Sequence, residues 1–263
     1  MEPNPTSEKM IKSTQTAFDI VETIGEYGSP TVTEIANGVE YSRSTVHYHL
    51  KTLQQNHYVI KDDQGFRLGL RIARLGDLAL QNHGLSGLVE PVVKDLAEEG
   101  GAVAHVGVPE GDKLVWLYRS SNNDAEELST NAFTETHIHC TAYGQAILAY
   151  SPDDVVDDLI AAHGLPELTE KTLSDRDALD ERLATIRDLG FAYSAEEYRE
   201  GISSIAAPII DEDDEIVGAI GITDAHDRVD NPYKHAKARR FSDERPGLVQ
   251  QAARIAGDKL TDT

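Results

Sequence analysis

Near the amino terminus apolar residues return every three or four positions, three times in succession. Ala17, Ile20, Val21 and Ile24 form one helical stripe, Val32, Ile35, Ala36 and Val39 a shorter second, and Val46, Leu50 and Leu53 a third. Thr31 and Glu34 have the spacing of a capping box, which starts the second helix just after Pro30. Ser42 is placed to cap the third, beyond a bend at Gly38 to Tyr41. The stretch YVIKDDQGFRLG then reads as two short strands around a polar turn containing Gly65. Three helices and a hairpin across residues 10–70 predict a winged helix-turn-helix.

Beyond it, Ile72, Leu75 and Ala79 mark a connecting helix over residues 71–84, and residues 85–263 read as a second domain. That domain opens with an amphipathic helix through Leu85, Leu88, Val89, Val92 and Leu96, ending at Gly100 and Gly101. Strands are expected at Ala102 to Val108 and Lys113 to Tyr118, then a polar loop from Arg119 to Ala132 with room for one edge strand. THIHCTAYGQAILAY changes from alternation to a small-residue helix near Thr141. Ser151 with Pro152, and Ser174 with Asp177, open two further helices. Phe191 to Tyr193, Ile202 to Ile210 and Glu215 to Ile222 complete the strands, and a helix over Gly247 to Leu260 ends the chain. Strands interrupted by helices without strict alternation predict an α+β domain on an antiparallel sheet.

The third helix carries two unlike faces. Its inward stripe opposes Arg43, Ser44, His47, Tyr48 and Lys51. Small hydroxyls, Ser44 and Thr45, and one arginine at the start of the helix suit entry into a major groove, and Lys61, Gln64 and Arg67 on the hairpin could touch backbone or minor groove. A solvated helix face has the same polarity, so the argument rests on the surrounding three helices and hairpin.

Composition alters this picture in one respect. The net charge is -22, whereas a DNA binder needs positive charge somewhere. Residues 1–83 carry 8 basic and 10 acidic side chains, so the acid is concentrated in the remainder. Such a surface suits a protein working in concentrated salt, where base contacts and shape fit must supply more of the affinity. No apolar run resembles a signal peptide or a membrane span, and a cytoplasmic protein is expected. A single cysteine, Cys140, excludes an internal disulfide.

Other chemistry is weaker. His137 and His139 would share one face of a strand and could hold a metal in a sensor or enzyme if a third ligand converged. Cys140 would point to the opposite face, no HExxH or paired CxxC occurs, and no cofactor is expected. For hydrolysis there is no GxSxG elbow, and Ser203 with Ser204 lacks an identifiable base. Gly201, Ser203, Ser204, Ala206 and Ala207 leave room beside the sheet, either for a ligand or for close packing.

Taken in order, SRSTVHYHLKTLQQNHYV, GFRLGLRIARLG, HIHCTAYGQAILAY and GFAYSAEEYREGISSIAAPIIDEDDEIVGAIGIT resemble the IclR family of transcription regulators, over about Ile11 to Leu260. The resemblance implies a carboxyl-terminal domain similar to the GAF fold that binds a small effector, and a dimer or dimer of dimers on operator DNA. It implies an effector site drawing on Ala142, Tyr143 and Gly144, on Ser194 where the family has an acid, on Ser204 where it often has a cysteine, and on Gly221 and Thr223 on the last strand. With the acid and one hydroxyl missing, a sugar, a sugar acid or an aromatic or organic acid all remain open. An effector-free architectural DNA-binding protein is the remaining alternative to a regulator of catabolic genes.

Overall fold

A computed structural model describes residues 11–85, 87–121, 132–234 and 244–261. The chain divides into two units, Met1–His83 and Gly84–Thr263. In the first, α1 (Lys12–Tyr27), α2 (Val32–Gly38) and α3 (Arg43–Gln55) precede the hairpin β1 (Val59–Lys61) and β2 (Phe66–Leu68), and α4 (Leu70–Gln81) follows. Ile20, Ile24, Ile35, Val46, Leu50, Val59 and Phe66 make its core, so each helical stripe meets the others and the hairpin closes the base. The capping box forms as its spacing requires, with the Thr31 hydroxyl accepting from Glu34 N and the Glu34 carboxylate accepting from Thr31 N. Glu40, at φ 54°, makes the bend between α2 and α3. The hairpin is tied to the α1 to α2 turn by Phe66 N donating to Pro30 O at 2.9 Å.

The second unit is built on a six-stranded sheet of order β5-β4-β3-β8-β7-β6, antiparallel at every pairing. Its strands are β3 (Val103–Glu110), β4 (Lys113–Ser120), β5 (Glu135–His137), β6 (Ala192–Ala195), β7 (Ile202–Ile210) and β8 (Ile216–Ala225). Its helices are α5 (Glu90–Gly100), α6 (Ala142–Tyr150), α7 (Asp153–His163), α8 (Arg176–Leu189) and α9 (Arg245–Thr261). One apolar layer joins α6 and α8 to Leu114, Trp116, Ala192, Ala206 and Ala219 of the sheet. On the opposite face α5 and α9 pack, with Gly100 against Ile222 and Gly257 against Ile210 O. The fold is therefore α+β, a winged helix-turn-helix followed by helices on both faces of an antiparallel sheet.

Several boundaries differ from the sequence reading. Leu85 and Val89 are buried but precede α5, because Pro91 sits in the first turn and the helix starts at Glu90. Asp175 rather than Ser174 caps α8, accepting from Ala178 N at 3.0 Å. Ser151 and Pro152 offer no side-chain cap to α7. The alternation predicted through THIHC stops at His137, because Ile138–Cys140 turn into a short 3-10 helix. Most of the polar loop expected from Arg119 to Ala132, residues 122–131, lies outside the described residues. Among the described residues the sheet edge beside β4 is β5.

Candidate functional site

The first candidate surface is the outer face of α3. Ser42 caps this helix, accepting from Thr45 N at 3.1 Å and lying 2.9 Å from both the Ser44 and Thr45 hydroxyls. Arg43, Ser44, His47, Tyr48 and Lys51 are exposed, while Thr45 is half-buried by the cap. Tyr48 is 71% exposed, so its ring and hydroxyl stand in solvent with the rest of this face. On the hairpin, Lys61 lies over the Phe66 ring and Arg67 pairs with Asp62 at 3.5 Å across exposed surface. That pair contributes little to stability, so Arg67 can leave it for a phosphate. Asp62 Oδ1 also accepts from Gln64 N and Gly65 N, which shape the turn and hold its carboxyl below the usual range.

The second is a narrow cleft of about 20 Å³ lined by Trp116, Thr141, Ser194, Tyr198, Ile202, Ser204 and Thr223. Ser194, Ser204 and Thr223 are register partners across β6, β7 and β8, so their hydroxyls stand side by side. Ser204 Oγ lies 2.9 Å from Thr223 Oγ1, which lies 3.3 Å from the Tyr143 hydroxyl. Tyr143 is fully buried, and burial pushes its phenol pKa far up. It thus props Thr223 from beneath and does not line the cleft. Ala142 is fully buried beside it. Gly144 and Gly221 serve close packing: a Cβ would stand 1.7 Å from Ile138 O at Gly144 and 2.2 Å from Ile205 O at Gly221. Of the seven residues implied by resemblance, Ser194, Ser204 and Thr223 border the cleft.

Trp116, Thr141, Tyr198 and Ile202 were missed. That it is the chain's single Trp was the available signal for the first. Thr141 caps α6, its hydroxyl accepting from Gly144 N at 2.9 Å. Tyr198 belongs to the segment joining β6 to β7, which is pinned at two points. Glu197 is buried and accepts from Gln145 Nε2 and from Arg182 Nη1 at 2.9 Å. Glu196, at φ 61°, accepts from Gly201 N and from Lys171, which together hold its carboxyl below the usual range.

Ser203 does have a basic neighbour, contrary to the sequence reading. Its hydroxyl is 2.7 Å from His226 Nδ1, whose Nε2 lies 3.6 Å from Glu196. Ser203 points to the other side of β7 from Ser204 and is buried. A serine so enclosed ties strands together. The histidine pair also departs from expectation, since the 3-10 turn removes His139 from the strand that carries His137. His139 is buried with Nε2 3.1 Å from Pro166 O, and His137 Nδ1 lies 3.4 Å from Lys113 Nζ. Among the described residues no third His, Cys, Asp or Glu converges on them. The Cys140 thiol donates to His137 O, and burial raises its pKa to about 11.

A larger depression, about 550 Å³, is bordered by Glu99, Asp227, Arg228, Asp230, Glu244 and Arg245. It is open to solvent, and Arg245 is already committed to Asp224 at 3.0 Å and to Arg228 O. It lacks the enclosure that small-ligand sites usually have.

A bare polar helix on a winged helix-turn-helix, in one chain with a sheet domain holding a cleft bordered by hydroxyl side chains, is the layout of a DNA-binding regulator that senses a small molecule. Residues 13–63 match the model of the IclR helix-turn-helix domain, and residues 77–242 match that of the bacterial transcriptional regulator IclR carboxyl-terminal domain. The chain belongs to the IclR family of transcriptional regulators. It is 29% identical over 259 residues, 96% of this chain and 95% of the relative, to a probable transcriptional regulator, ArcR, of Halobacterium salinarum. It is 32% identical over 200 residues, 75% of this chain and 78% of the relative, to the glycerol operon regulatory protein of Streptomyces coelicolor. The fold is that of an IclR homolog from Microbacterium hydrocarbonoxydans solved with 4-hydroxybenzoate, at TM-score 0.78 and 19% identity over 95% of this chain and all of that one. Family and relatives are regulators of transcription, not enzymes. Among the described residues no helix is long and apolar enough to cross a membrane.

Proposed function

We propose that this regulator binds operator DNA through Arg43, Ser44, Thr45, His47, Tyr48 and Lys51 of α3, with Lys61 and Arg67 on the hairpin, and adjusts that grip when a small organic effector occupies the cleft at Ser194, Ser204 and Thr223. The observation carrying the reading is the exposed polar face of α3, held outward by a helix whose other side is sealed into the core. An effector changes DNA affinity only if it binds one arrangement of the protein better than another. A cleft of about 20 Å³ holds roughly one water, so a larger effector binds only to an arrangement in which the cleft is wider. The 4-hydroxybenzoate of the Microbacterium homolog makes a hydroxylated organic acid a first choice of effector.

The regulator acts as a homodimer or a dimer of dimers, on a partly palindromic operator. Supporting this, α4 is amphipathic yet has no buried residue among its twelve, and Leu75 and Leu78 are 49% and 42% exposed. An apolar helix face left in water implies a partner. The decisive experiment maps the protein's bound sites across its genome and measures affinity for the recovered duplex with and without 4-hydroxybenzoate. Discrete palindromic sites beside catabolic genes are expected. Uniform binding without preferred sites would turn the assignment to an architectural role.

A further inference from the structure

Trp116 is 3% exposed and lines the cleft, and its indole Nε1 has no hydrogen-bond partner among the described residues. An indole N–H can only donate, and buried donors in folded proteins nearly always find an acceptor. The ring is not free to seek one. It meets Tyr143 edge-on at 4.8 Å between centroids and His105 at 5.0 Å, and Tyr143 is itself bonded to Thr223. The Thr141 hydroxyl at the same cleft accepts from Gly144 N, which leaves its own proton to donate. Among the described residues no charged side chain lines the space.

Resting on the effector reading above, we infer that Trp116 is the ligand-reading donor of this cleft: its indole N–H takes an oxygen acceptor of a small oxygen-bearing effector. The donor is fixed before the ligand arrives, so its orientation costs nothing at binding. A ligand without an oxygen at that position leaves the N–H buried and unmatched, which selects against it. Carboxylate and hydroxyl oxygens share the required chemistry. Glycerate and glycerol separate them, since the two differ in the carboxylate alone.

The test uses the full chain, with glycerate, glycerol and 4-hydroxybenzoate as probes. Because the chain has one Trp, its ¹⁵N spectrum holds a single indole N–H peak, which reads Nε1 without any mutation. At least one probe is expected to raise the melting temperature and move that peak downfield. Trp116→Phe keeps an aromatic ring but loses the donor, and should bind the same probe at least about tenfold more weakly. A probe that raises the melting temperature and leaves the peak in place, or binds wild type and variant alike, overturns the role of Trp116 and leaves the effector domain standing. If no probe binds, the oxygen-ligand assignment falls. Sequence-specific DNA binding by the same preparation then shows whether the regulator reading falls with it.

Discussion

Arg182 Nη1 donates at 2.9 Å to three acceptors, Glu197 Oε1, Gln145 Oε1 and the backbone oxygen of Tyr193. One guanidinium on α8 thus holds α6, β6 and the segment that carries Tyr198. Arg182→Ala leaves the Glu197 carboxylate buried without its cation, and should destabilise the second unit by about 3 kcal/mol. Chemical denaturation followed by circular dichroism measures this. A loss below about 1 kcal/mol would mean water replaces the guanidinium freely.

For DNA, Arg43→Ala should weaken operator binding by about 1–3 kcal/mol if the guanidinium pairs with a guanine. Lys51→Ala should weaken binding to all sequences alike and lower the slope of log affinity against log salt by about one. Fluorescence anisotropy across a salt series distinguishes the two, and unchanged affinity at matched salt removes either residue from the interface.

The small residues of α6 yield a stability prediction. A methyl group added at Gly144 would collide with Ile138 O, an atom of the backbone that cannot step aside. Gly144→Ala should therefore cost about 3 kcal/mol or more. Loss of soluble expression or a sharply lowered melting temperature is expected. A normally stable variant would show that α6 can shift away from the 3-10 turn.

His139 makes stability depend on pH. Burial holds its pKa below the ordinary value, outweighing the Pro166 carbonyl that favours the charged ring. The unfolded chain therefore binds the proton more readily. The stabilisation is complete above about pH 6.5, the unfolded value, and is lost as pH falls through the lower folded value. His139→Gln, which can still donate to Pro166 O, should show a smaller drop in melting temperature on acidification than the wild type. His137, also depressed by burial and by Lys113, retains its own share in both proteins. Equal drops would exclude His139 as a source.

The net charge of -22 predicts the response to salt. Raising KCl from about 0.1 M to about 1 M shortens the screening length from about 10 Å to about 3 Å, which relieves repulsion within the acidic unit. The melting temperature should rise, while phosphate contacts weaken over the same range. A melting temperature that falls with KCl would count against adaptation to concentrated salt.

The DNA-facing part was legible from sequence because its signals are local. The Thr31 to Glu34 cap, the Ser42 cap and the Val46 to Leu53 stripe depend on residues a few positions apart, and each is found in place. The cleft was less legible because it is assembled across distance. Trp116, Thr141, Tyr198 and Thr223 come from four separate segments, and only the sheet order β4-β3-β8 brings the first near the last. Likewise Ser203 gained its histidine from the turn just past β8, 23 residues on. Motif resemblance placed Gly144 and Gly221 at the effector, where the backbone geometry gives them a packing role. The 3-10 turn at Ile138–Cys140 defeated the strand alternation because the chain there must swing from β5 into α6.

The only cysteine of the chain is fully buried, with its thiol pKa raised to about 11. In the native protein Cys140 therefore stays inert toward maleimides and mild oxidants, since the thiolate is the reacting species. A second cysteine placed on the exposed face of α3 or α4 would be the sole labelling handle. The wild-type background thus accepts a fluorophore or spin probe without first being stripped of its native sulfhydryl.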